Sequence, residues 1–162
     1  MQKQCFDPVV DKHVRLLVLG SLPGDVSLAQ KQYYGHPQNQ FWRLMSAVID
    51  ADLPTMDYLA RLQTLLKNGV GLWDVIATAR REGSLDSNIQ QQANNDLVGL
   101  IGTLPALTAI AFNGGTAARH GVRLIGERVD SYRIITLPSS SPAYTLPFTE
   151  KLIRWQTLNE FI

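Results

Sequence analysis

The residues best equipped for chemistry sit close together near the start of the chain. Gly20-Ser-Leu-Pro-Gly24 directly follows the apolar run Val14-Arg-Leu-Leu-Val-Leu19, and Tyr33-Tyr-Gly-His-Pro-Gln-Asn39-Gln-Phe-Trp42 comes shortly after. The apolar run reads as a buried strand. A strand that ends in a Gly/Pro turn presents backbone groups at the carboxyl edge of a sheet, where open α/β folds bind ligands. Two adjacent aromatics, a rigid His-Pro step and an amide at the mouth of a new helix then supply a stacking surface, a fixed turn and a polar donor and acceptor. Together they suit a pocket for a flat, polar ring, and a nucleobase is such a ring.

Other chemistries are excluded by what the motifs lack. There is no Gly-x-Ser-x-Gly nucleophile elbow, no lysine after a Gly-rich turn to grip a triphosphate, and no Gly-x-Gly-x-x-Gly dinucleotide fingerprint. His13, His36 and His120 do not have metal-ligand spacing, and Cys5 is the single cysteine. One thiol leaves no internal disulfide and too few ligands for an iron–sulfur or zinc–cysteine site. Carboxylates near the motifs are scarce. Asp25 lies just past the first turn and Asp74 near Trp73, and both read as capping or solvated groups. By elimination the chemistry is done by positioning and dipoles, with no metal and no cofactor.

The elements that must position these residues follow from the hydrophobic pattern. Strands are expected at Val14–Leu19, Val70–Ile76, Leu107–Phe112 and Tyr132–Leu137. Helices are expected at Asn39–Asp50, Pro54–Lys67 and Asn95–Gly102, from Thr116, and at Thr149–Phe161. The stretch from Gly20 to Gln38 reads as loop, and Ala79–Asn88 as polar and mobile. Strands alternating with helices imply an α/β fold, a three-layer α/β/α arrangement around a central, mostly parallel four-stranded sheet. Right-handed crossovers place the loops after Gly20, Asn113 and Pro138 on one edge. Phe41, Trp42, Trp73 and Trp155 read as core.

At 162 residues and 45% hydrophobic composition, the chain fits one globular domain, 1–162. No apolar run is long enough to span a membrane. The start, Met1 to Asp7, lacks the apolar core of a signal peptide, so a cytoplasmic protein is expected. A net charge of +1 is low for a protein that coats long DNA, yet sufficient for one that touches a few phosphates around one nucleotide.

The motif block resembles the uracil-DNA glycosylase superfamily. Tyr34-Gly-His-Pro-Gln-Asn39-Gln-Phe-Trp42 is similar to the Phe-Ala-His-Pro-x-Asn-Arg-Phe-Trp segment of mismatch-specific uracil-DNA glycosylases. Phe112-Asn-Gly114 and Pro138-Ser-Ser-Ser141 are similar to segments of thymine-DNA glycosylases. The combination of Gly-Ser-x-Pro-Gly, Ser27-Leu28, Gly71-Leu-Trp-Asp-Val75 and Arg81-Glu-Gly-Ser-Leu-Asp-Ser87 most resembles the hypoxanthine-DNA glycosylase branch. The likeness runs from Leu17 to about Thr145.

The resemblance implies a monofunctional glycosylase, working as a monomer, that flips a deaminated base out of DNA and hydrolyses its N-glycosidic bond. Hypoxanthine is the first candidate base. Uracil in G·U mismatches and non-catalytic binding of damaged bases are the alternatives. It assigns Asn39 to orienting water, Tyr34 to stacking on the base, and Asn113 with the Ser21 and Leu22 backbone to its polar edge. Ser139, Ser140 and Ser141 are assigned to phosphates, and Pro142 to Tyr144 to the gap left by the flipped nucleotide. Two departures matter: Leu22 and Leu137 stand where relatives place an activating Asn or Asp and a uracil-stabilising His. Both imply slower chemistry, with Asp25 as the fallback base. Without the resemblance, Asn39 is equally an N-cap, His36 a turn-fixing hydrogen bonder and Asn113-Gly-Gly a common turn. On the same footing the serines form a polar loop, and Arg80, Arg81 and Arg119 are surface charge.

Overall fold

The computed structural model describes residues 2–162. In chain order its elements are β1 (Gln2–Gln4), β2 (Leu16–Gly20), α1 (Asp25–Gln30), α2 (Phe41–Ile49), α3 (Tyr58–Lys67), β3 (Val70–Asp74), β4 (Ile76–Arg80), β5 (Gln90–Asn94), α4 (Leu97–Ile101), β6 (Ala109–Asn113), α5 (Gly115–Ile125), β7 (Arg133–Leu137) and α6 (Phe148–Gln156).

The central sheet has four strands in the order β3-β2-β6-β7, parallel throughout. Every position of β2 and β6 is buried, as a sheet covered on both faces demands. Alternate side chains serve opposite layers. Leu16, Val18, Leu72 and Ala111 pack under α2 and α6, against Phe41, Leu44, Met45 and Trp155. Leu17, Leu19, Ile110 and Phe112 pack on the other face against Leu97 and Ile101 of α4 and Ala117 and Ile125 of α5. The result is the expected α/β/α sandwich. Gly121 sets the close approach of α5, since a Cβ there would fall 2.1 Å from Phe112 Cε1. The free edge of β3 is covered by Val9, which exchanges backbone hydrogen bonds with Leu72 at 2.9 and 3.0 Å. Covering blunts an edge that would otherwise recruit other strands.

Several expected boundaries move. The run from Val70 to Ile76 is two strands, not one. The Val75 and Ile76 amides donate to the carbonyls of Gly20 and Ser21. The chain then leaves the central sheet and joins a second, antiparallel sheet ordered β1-β4-β5. Much of the segment read as mobile is therefore strand and turn. The Gly20–Gln38 stretch contains α1. The second helix begins at Tyr58, where Asp57 accepts from the Ala60 amide at 2.8 Å as its N-cap, and Pro54 sits in a separate 3-10 turn. The last helix stops at Gln156 and finishes in 3-10 geometry. No helix among the described residues is long and apolar enough to cross a membrane.

Because the central strands are parallel, their carboxyl ends share one edge. Gly20 pairs in register with Asp74, and Asn113 with Leu137. The loops beyond these residues build the site.

Candidate functional site

A cavity of about 480 Å³ opens at that edge, and Ser21, Leu22, Tyr34, Asn39, Asn113, Ser139, Ser140 and Ser141 all lie on its wall. The sequence reading thus placed its residues around one space, and the volume falls in the range of small-ligand pockets. What each side chain does there differs from residue to residue.

Tyr34 adopts a left-handed backbone, φ 54°, a conformation unfavourable for a bulky residue. It is held there by stacking: its ring lies on Phe41 with centroids 3.9 Å apart and planes 16° from parallel. Phe41 in turn makes edge contacts with Trp42 and Trp155. The ring is a platform backed by the core. Its hydroxyl is buried, and burial first, then the nearby Asp74, raise its pKa, with the Asn113 amide acting in opposition. Tyr33 is a core residue, donating from its hydroxyl to the Asp7 carbonyl at 3.1 Å.

His36 fixes the turn before α2. Its Nδ1 accepts from the Gln38 amide at 3.0 Å, and its carbonyl accepts from the Asn39 amide at 2.9 Å. The cap position of α2 is Gln40, not Asn39. Asn39 nevertheless performs a capping bond, its Oδ1 accepting from the Phe41 amide at 2.9 Å. That bond orients the amide plane at the cavity wall.

Asn113 holds the serine loop. Its Nδ2 donates to Ser140 Oγ and its Oδ1 accepts from the Ser140 amide, both at 2.9 Å. Ser140 is 1% exposed, and its carbonyl accepts from the Gln40 amide. The buried Lys151 donates from Nζ to the Ser141 carbonyl at 3.2 Å, and Trp155 donates from its indole to the Pro138 carbonyl at 2.9 Å. Ser140 is thus an internal strut, while Ser139 and Ser141 are half-buried at the rim.

The opposite wall is tied down by Arg81, expected as surface charge and found buried. Arg81 is 2% exposed and donates from Nη2 to the Pro23 carbonyl. It also meets Asp86 at 3.4 Å, and Asp86 accepts from Ser21 Oγ at 2.7 Å. Asp25, the fallback base, is ion-paired with Lys3, which also donates to the Gly83 carbonyl. Leu22 turns into the hydrophobic layer. No group of three or more His, Cys, Asp or Glu able to hold a metal occurs among the described residues.

Asp74 is the residue the sequence reading misjudged. It is neither a cap nor solvated: it is 3% exposed, lies on the cavity wall, and its Oδ2 is buried without a hydrogen-bond partner. Burial, then repulsion from Asp86, push its carboxyl up to about 7, with Arg81 acting in opposition. Gly20 makes room for it, since a Cβ there would stand 2.7 Å from Asp74 Oδ1. The available signal was position. Asp74 ends an apolar run that forms a parallel strand, and such ends face the ligand edge.

Comparison with known proteins agrees with this geometry. Residues 8–160 match the family model described as the uracil DNA glycosylase superfamily. A Methanosarcina barkeri protein named hypoxanthine DNA glycosylase is 43% identical over 143 residues, 88% of this chain and 89% of the relative. A Methanosarcina acetivorans protein of the same name is 44% identical over the same shares. A Methanosarcina acetivorans chain solved in solution by NMR superposes with a TM-score of 0.87 at 40% identity, covering 98% of this chain and 97% of that one.

Proposed function

The chain belongs to the uracil DNA glycosylase superfamily, and from that premise we propose that it removes hypoxanthine from deoxyinosine in DNA by hydrolysing the N-glycosidic bond. The observation that carries this reading is the single cavity that unites the Tyr34 ring, the Asn39 amide and the serine loop. The names of the two Methanosarcina relatives support the choice of base.

To reach such a cavity the nucleotide must leave the duplex, at a cost of a few kcal/mol that is smallest for a weak pair. Stacking on an aromatic ring recovers about 1–3 kcal/mol, and the Tyr34 platform is rigid because Phe41 backs it. As the C1′–N9 bond breaks, its electron pair goes to the base and the sugar becomes oxocarbenium-like. Water then adds at C1′ and releases a proton. Leu22 offers no carboxylate to assist. An amide is not a base near neutral pH, so Asn39 orients the water and the departing base must be stabilised by the pocket. In this reading Ser139 and Ser141 meet phosphates, contacts that fix register without reading sequence. No lysine is among the described residues of the cavity wall, so the reading has no Schiff-base step and ends at an abasic site. One copy supplies every residue of the site. We read residues 1–162 as a single-domain, cytoplasmic monomer acting on DNA.

A duplex with one deoxyinosine, incubated with the protein and treated with alkali, should break at that position, faster than a matched G·U duplex. An intact strand rejects the substrate. Asn39→Ala should lower cleavage about 10²-fold or more while binding of the duplex persists; cleavage at the unaltered rate rejects the role of Asn39.

A further inference from the structure

Resting on the glycosylase reading above, we propose that Asp74, as a neutral carboxylic acid, is the specificity-determining residue that reads the lactam edge of the everted base. Its hydroxyl donates to the exocyclic oxygen, and its carbonyl oxygen accepts from the ring N–H.

Asp74 is a carboxyl on the cavity wall, almost wholly buried, and its Oδ2 meets no protein donor. A buried polar atom without a partner costs free energy unless a ligand or water supplies one. The residue expected to read the base, Asn113, has both amide atoms engaged by Ser140. Asn113 thus spends one N–H and one lone pair on the serine loop, whereas the Asp74 oxygen is held by no protein donor and faces the same space.

The two protonation states read different bases. A neutral acid presents one donor and one acceptor side by side, as a carboxamide does. That pair complements the N1–H and O6 of hypoxanthine, or the N3–H and O4 of uracil. An ionised carboxylate presents acceptors alone. It complements the N1–H and N2 amino group of guanine and repels O6. Holding Asp74 neutral thus removes the acceptor-only pattern that would favour guanine, and presents the donor and acceptor that the N1–H and O6 edge of hypoxanthine requires. The same hydroxyl assists the reaction: when the C1′–N9 electron pair moves onto the base, O6 gains negative charge and the O–H stabilises it, the proton staying on Asp74. A carboxylate would oppose that charge.

The groups facing Asp74 are consistent with a neutral form. Asp86 comes from the 3-10 turn before β5, Arg81 from the end of β4, Tyr33 and Tyr34 from the loop before α2, and Cys5 from the segment after β1. Arg81 is the one cation of this set. Its Nη1 lies against Asp86 and its Nη2 donates to the Pro23 carbonyl, so its charge is shared away from Asp74. Asp25, also on the wall, is neutralised by Lys3.

The test is single-turnover cleavage of a deoxyinosine duplex from pH 5.5 to 9 by the wild type, Asp74→Asn and Asp74→Leu. The wild-type rate should fall about tenfold per pH unit above an apparent pKa near 7. Asp74→Asn keeps a donor–acceptor pair and should lack that alkaline limb. Asp74→Leu should lose about 10²-fold or more across the range, as when one oriented donor is removed from an active site. A wild type that leaves inosine intact ends both this inference and the choice of hypoxanthine as the substrate base. A wild type that cleaves while Asp74→Asn shares its alkaline limb, or while Asp74→Leu keeps the wild-type rate, overturns the inference alone. A carbon-13 titration of the Asp74 carboxyl in the free wild-type protein gives a check independent of any variant. A midpoint near 7 supports the inference, and one near the ordinary value of about 4 overturns it.

Discussion

Replacing Asp74 by Asn should change the pH dependence of stability, whatever the substrate. The carboxyl titrates at 3.8 ordinarily and at about 7 in the folded protein, a gap of about 3 pH units. At 1.36 kcal/mol for each, the folded state holds that proton more tightly by about 4 kcal/mol. The sign follows from the direction. A carboxyl raised on folding contributes its full stability below about pH 4. That contribution is lost as pH climbs through the folded value near 7 and stays lost above it. Asn has no proton to lose and keeps the same outline against Gly20 and Tyr34. The variant should therefore gain on the wild type between pH 4 and 7.5 by up to about 4 kcal/mol, and by no more at pH 9. Water entering the open side of the cavity lowers the figure, so this is a ceiling.

Urea unfolding of both proteins at pH 4.5, 6, 7, 8 and 9 measures the gap. Equal m-values at each pH would confirm that the native and denatured states compared are the same. In heat-unfolding terms each kcal/mol moves Tm by about 2–4 °C for a chain of this size. Two stability curves that run parallel over the whole range would refute the reasoning, because Asp74 would then titrate alike folded and unfolded. A gap that opens below pH 5 and is flat from 5 to 8 would refute it too, by placing the carboxyl in the ordinary range.

Two further substitutions test the frame around the site. Asn113→Ala deprives the buried Ser140 of both its 2.9 Å partners. The change should cost about 2–6 kcal/mol by urea unfolding, with 1–3 for each of the two buried groups left unpaired, and should weaken binding of a deoxyinosine duplex as the serine loop loosens. Gly121→Ala drives a methyl group into the Phe112 ring, 2.1 Å from Cε1. It should cost about 1–3 kcal/mol in calorimetric melts and leave the cleavage pH profile in place.

How much of this was legible beforehand depends on where the information lies. β2 and β6 are apolar at nearly every position, and burial on both faces leaves that signature in any parallel sheet, so the central layer could be read directly. The second sheet could not. Gln2–Gln4 and Gln90–Asn94 are polar strands with mostly exposed positions, and a strand that buries little has no hydrophobic period to betray it. The Val70–Ile76 run reads as one strand because apolar Val75 and Ile76 follow directly after Asp74. The break comes from Gly20 and Ser21 capturing the Val75 and Ile76 amides.

The site shows the same division more sharply. Asn113 ends β6 at the edge, but its partner Ser140 lies 27 residues further on, and no local pattern reports that pairing. Asp74 was discounted because aspartates are usually solvated. Its strand register, opposite a glycine that leaves space for a carboxyl, contained the better information. Residue type argues for what a side chain does on average. Place in the sheet decides whether the average applies. At the carboxyl edge of a parallel sheet an acidic residue with no cation of its own is held out of water by the fold, and its charge state becomes part of what the pocket recognises.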